Sequence, residues 1–116
     1  MELHKIYTKH FPVKGFTALT IWPFVFIRKD CTDRYSVTTE RHENIHAEQQ
    51  KELLVVPFFI LYIVEFLIKL FFCKFNLDLA YCSVCFEQEA YDMQYNEKYL
   101  ETRKHYSWAK YIFKIA

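Results

Sequence analysis

Thr38-Thr39-Glu40-Arg41-His42-Glu43-Asn44-Ile45-His46-Ala47-Glu48-Gln49-Gln50 reads as one helix. Thr38 or Thr39 can cap it, and Glu40 falls in the first turn, where the helix dipole favours an acid. No proline interrupts the run before Pro57, so the pattern predicts a helix that ends near residue 56. His42 and His46 are four residues apart, so both imidazoles leave one helical face and can reach one zinc ion, Zn2+. Glu43 stands beside the place of a water on that ion. Zinc lowers the pKa of such a water toward ~7, and a neighbouring carboxylate can take its proton as general base. Five histidines and ten glutamates in 116 residues would produce this spacing by chance in about two of a hundred such chains. The plain alternative is a solvated helix face.

A zinc site needs a third protein ligand. Glu52 is rejected, because an unbroken helix places it about 80° from His42 and about 120° from His46. Phe86-Glu87-Gln88-Glu89-Ala90-Tyr91 offers two carboxylates on a later helix. Glu87 and Glu89 are about 200° apart there, so at most one faces the metal.

Outward from the motif, two short strands are expected at 3–10 and 16–28, interrupted by Pro12, Lys14 and Gly15 and paired as a hairpin. Pro23 marks a weak centre or an edge in the second. A polar turn at Asp30–Arg34 and a short extended piece at Tyr35–Val37 lead into the helix. Beyond it, Leu53–Phe72 is the most apolar stretch, with Glu65 and Lys69 spaced to pair. A further helix is expected from Asn76 or Asp78 to about Lys104, and a short last one over His105–Ile115. The fold class is therefore α+β, mainly α: a short N-terminal β-hairpin followed by about four helices, in one domain spanning 1–116.

A net charge of +1 gives no reason to expect nucleic acid or an acidic partner. One Gly and three Pro argue against a barrel or sandwich of many tight turns. Met1–His10 does not read as a signal peptide, so the four cysteines are expected to be reduced thiols of a cytoplasmic protein. Cys82-Ser83-Val84-Cys85 has the spacing of a redox or zinc pair, but no second such pair accompanies it. Leu53–Phe72 is about long enough to span a bilayer, though Pro57, Glu65 and Lys69 interrupt it. A buried core helix and one lying on a membrane surface both fit. Lys51, Lys74, Lys104, Lys110 and Lys114 suit a lipid surface or plain solvation. The aromatic tail around Trp108 reads as core packing. His4, His10 and His105 read as ordinary structural or surface groups.

Segments 42–50 and 86–91 together resemble the zincin metallopeptidases in the gluzincin layout. They also look like small bacterial proteins that pair HExxHxxQQ with a later FExEAY. The resemblance implies a zincin-like minimal core, zinc held by His42, His46 and one of Glu87 and Glu89, a catalytic Glu43, and a peptide or protein substrate. In gluzincins the ligand glutamate is often followed three residues later by alanine. Ala90 then favours Glu87, and a small residue there lets two helices approach closely. Some thermolysin-like members have the alanine next in line, which keeps Glu89 as the alternative. The chain lacks a counterpart of the large second subdomain of thermolysin-like enzymes. Asp92 is the nearest match to the acid or amide that often accompanies the glutamate. His105, Tyr106, Tyr91 and Arg103 are candidates for the oxyanion partner. Two other functions fit the same residues: a non-catalytic binding protein tied together by zinc, and a small membrane-associated regulator. The oligomeric state is not legible.

Overall fold

A computed structural model describes residues 3–11 and 16–116; the interruption expected at Pro12, Lys14 and Gly15 lies outside the described residues. The chain is mainly helical with a small N-terminal sheet. Strands β1 (His4–Thr8), β2 (Ala18–Ile21) and β3 (Phe24–Arg28) lie in the order β1-β3-β2. The expected hairpin is corrected in its pairing. The run 16–28 divides at Trp22-Pro23, β2 and β3 form the antiparallel hairpin, and β1 joins β3 in parallel. Pro23 has no N–H to give a ladder, so the chain turns where a single long strand was expected. Central β3 buries Val25 and Ile27 completely, which leaves β2 as an edge strand.

A 3-10 turn over Lys29–Arg34 leads to α1 (Val37–Leu53). Its cap is Ser36, whose Oγ accepts the N–H of Thr39 at 3.2 Å, so the helix starts earlier than Thr38 or Thr39 would have it. Leu54 ends it, with φ 63° and ψ 154°, a conformation outside any helix. Helix α2 (Val55–Phe72) begins directly after. Pro57 does not break the chain; it sits in the first turn of α2, where a missing N–H removes no helical bond.

The run expected as one helix from Asn76 to Lys104 is three. Helix α3 (Leu77–Ser83) is capped by Asn76, whose Oδ1 accepts the N–H of Leu79 at 3.1 Å. Then come α4 (Cys85–Met93) and α5 (Tyr99–Thr102). Val84 is extended between α3 and α4, and the N–H of Cys85, freed by that break, donates to Glu65 Oε2 at 2.8 Å. The expected last helix is a 3-10 turn over Ser107–Tyr111.

Phe58, Val84, Cys85, Phe86 and Tyr111 form the main apolar cluster, with Trp108 packed against it. Ile45, Ala90 and Tyr99 form a second, between α1 and the α4–α5 segment. Glu65 and Lys69 pair at 2.8 Å, and the Lys69 ammonium also reaches the carbonyls of Ser83 and Lys114. By length and composition α2 could cross a membrane, and only 11% of it is buried. It is therefore not the buried central helix that one reading of Leu53–Phe72 expected. All four cysteines are free.

Candidate metal centre

The buried face of α1 is polar. His42, Glu43, His46, Gln49 and Gln50 are each at most 7% exposed, and such groups need partners. Gln50 finds them in the sheet: its Oε1 accepts the Trp22 N–H at 2.6 Å and its Nε2 donates to the Thr20 carbonyl at 2.7 Å. Gln49 finds them on α4, donating to the Phe86 carbonyl and to Glu89 Oε1, both at 3.0 Å. Two adjacent amides thus clamp α1 between β2 and α4, which sets where the histidine face points.

His42 Nε2, His46 Nε2 and Glu87 Oε1 lie 3.1 Å from one another in all three pairs. A tetrahedral ion with ligand distances of about 2.0–2.1 Å separates its ligand atoms by roughly 3.3–3.4 Å, so this triangle is close to the size zinc requires. The protons agree. Both amide hydrogens of Gln49 point at acceptors, so its Oε1 faces His46 Nδ1, at 2.8 Å. Nδ1 must therefore donate, and Nε2 keeps its lone pair in the neutral ring. His42 Nδ1 is likewise set against Gln94 Oε1 at 2.9 Å. Two nitrogen lone pairs and a carboxylate oxygen then converge on one point, an arrangement that calls for a cation or a proton. Tyr62 Oη holds the other oxygen of Glu87 at 2.7 Å.

The electrostatics follow. Burial lowers the pKa of His46, but the charge and hydrogen bond of Glu87 more than offset this and raise it to about 9. Burial acts on Glu87 in the opposite sense, yet the two histidines hold its carboxyl well below the usual range. Glu43 is separate from this trio. Its Oε1 accepts from Thr20 Oγ1 at 2.6 Å. Burial pushes its pKa up, against the opposing pull of His46, His42 and the Thr20 bond. A carboxyl moved upward in this way is better matched to taking and returning a proton near neutral pH.

The structure does not bring Glu89 to the histidines. Arg103 grips it with Nε to Oε2 at 2.5 Å and Nη2 to Oε1 at 3.1 Å, and Tyr99 Oη adds 2.6 Å. The same guanidinium holds Glu52 at 2.9 and 3.0 Å. Glu52 also meets His105 Nδ1 and the Tyr106 N–H, so three of the four oxyanion candidates are gathered there. The fourth, Tyr91, has its ring centroid 4.5 Å from that of His42. Asp92 accepts from Tyr111 Oη at 2.6 Å. Sequence reasoning missed Thr20, Gln49, Tyr62, Tyr81 and Gln94. Only Gln49 left a signal, a polar residue one turn beyond His46 on a buried helix.

A cleft with two lobes opens beside the trio. One lobe, about 430 Å³, is lined by the trio and Glu43 and has apolar walls from α2, among them Phe58, Phe59, Ile63 and Phe66. The other, about 1080 Å³, includes Ser36, Thr39, Asp78 and Gln94. Phe16, Ala18, His42, Glu43, Phe66 and Tyr81 border both. Comparisons with protein-family models, curated proteins and solved structures found no match.

Proposed function

We propose that this protein is a zinc-dependent peptidase whose metal is held by His42, His46 and Glu87. The observation that carries the reading is the 3.1 Å triangle of those three ligand atoms, with Glu43 lining the same cleft. Two imidazole nitrogens and one carboxylate oxygen form a donor set suited to zinc that leaves a fourth position open. Zinc bound there supplies a Lewis acid and an activated water.

The chain's own groups supply the rest. Thr20 fixes the Glu43 carboxylate, which accepts a proton from the attacking water and returns it to the leaving amine. The Tyr81 and Tyr91 phenols are both pushed up by burial and the nearby Glu87 charge. Both therefore stay neutral, and the Tyr91 hydroxyl retains a proton to give to a developing oxyanion. Ala18 of edge strand β2 borders both lobes, and the ladder alternation turns its backbone outward, while Gln50 already holds the same edge at Thr20 and Trp22. An extended peptide would pair beside β2 at its Ala18 end, in the cleft that Glu43 lines. A purely structural zinc site needs neither a buried carboxylate beside the trio nor a cleft.

The test is metal content together with hydrolysis. Wild-type protein should hold close to one zinc per chain, and His46→Ala should hold none. Glu43→Gln should keep the zinc and lose roughly 10²–10⁴-fold in peptide hydrolysis. Hydrolysis undiminished in Glu43→Gln would end the general-base assignment.

A further inference from the structure

Every exposed residue of α2 is apolar. Ile60, Ile63, Leu67, Ile68, Phe71 and Phe72 are 53–69% exposed. Ile63 and Phe72 are nine residues apart, which is about 180° around a helix, and the exposed residues fill that arc. The charged residues of α2 point the other way: Glu65 and Lys69 pair with side chains 15% and 5% exposed. A continuous apolar surface of this kind marks an interaction site.

Its shape selects the occupant. A helix of a second copy would cover a seam or stripe of two or three positions in seven, leaving the rest of the arc in water. Hydrocarbon covers the whole half-cylinder. The patch continues past the helix end through Phe75 and Leu77, 69% and 63% exposed. Exposed Lys74 lies between Phe72 and Phe75, where a cation meets lipid headgroups. Ile63 belongs both to this outward face and to the wall of the apolar lobe, so the lobe and the patch share a rim.

We infer that the outward half of α2 seats the protein in the surface of a lipid bilayer, so that the apolar lobe of the cleft opens toward the hydrocarbon and takes apolar segments presented there. The seat stands on the α2 surface alone; the substrate class rests on the peptidase reading above.

Flotation with vesicles of phosphatidylcholine containing phosphatidylglycerol tests the seat, with zinc content measured in the same fractions. Wild-type protein should float. The double variant Ile60→Glu, Leu67→Glu changes only exposed side chains; it should keep its zinc and lose at least about tenfold of the vesicle-bound fraction. Val37→Glu, an equally exposed site at the start of α1, should float like wild type. A wild-type protein that stays in solution, as monomer or dimer, overturns the seat. So does equal flotation of the double variant, or equal loss in Val37→Glu. A wild-type protein that floats without binding zinc supports the seat and sinks the metal reading alone. Where hydrolysis is established, the double variant should lose activity on peptides anchored in vesicles and keep it on the same peptides in solution. Equal activity on both would overturn the substrate class.

Discussion

Gln49 Nε2 donates to Glu89 Oε1 at 3.0 Å, while its Oε1 sits against the ring of His46. One amide thus reads out both the histidine that points into the cleft and the glutamate that points away from it. Glu87 and Glu89 are two residues apart on α4, yet one meets two imidazoles and the other a guanidinium. The two acids have different jobs, and substitution separates them.

Glu87→Gln should abolish stoichiometric zinc. Glu89→Gln should keep it, but leave buried Arg103 with Glu52 as its remaining carboxylate partner. Unpairing such a cluster costs about 3 kcal/mol of stability, the lower end for a broken buried pair. Metal analysis and urea unfolding of the two variants check this; loss of zinc in Glu89→Gln with retention in Glu87→Gln would reverse the assignment.

Gln49→Ala removes the acceptor that holds the His46 ring and its tautomer. Zinc affinity should weaken about 10–100-fold, measured by competition with a chromophoric chelator. Unchanged affinity would mean that packing alone orients the ring.

The metal-free protein should lose stability as pH rises. The pKa of His46 is raised in the folded state from 6.5 to about 9, so its contribution is complete below about pH 6.5 and lost as pH climbs through 9. Thermal unfolding of metal-free protein should show a falling Tm across that window, and zinc-loaded protein should not. Zinc must also displace that proton. Calorimetry near neutral pH should therefore give binding heats that depend on the buffer, with affinity rising toward pH 9. Buffer-independent heats would place no proton at the site.

Tyr91→Phe keeps the ring beside His42 and removes the hydroxyl. Zinc content should be unchanged and kcat should fall about 10²-fold, as for loss of an oxyanion donor. Full activity would move that role to another group, with Tyr81 the neighbour to test next.

Local periodicity explains what could be read without coordinates. His42 and His46 share a face because a helix returns every 3.6 residues, and that holds whatever the helix packs against. The apolar run of α2 and the Glu65–Lys69 pair follow from the same short-range rule. Other features depended on groups distant in the chain. Pro23 signalled a weak point in the strand, but the parallel pairing of β1 with β3 needed the whole sheet. Helical angles allow Glu87 or Glu89 to face the histidines but never both. The clamp of Gln49 and the grip of Arg103 decide between them, and both are contacts between separate elements. Likewise, composition made α2 apolar, while only its packing partners determined that half of it would face outward. Side-chain spacing along one helix is a property of adjacent residues; which face meets which neighbour is settled by the competition among all elements for a single core.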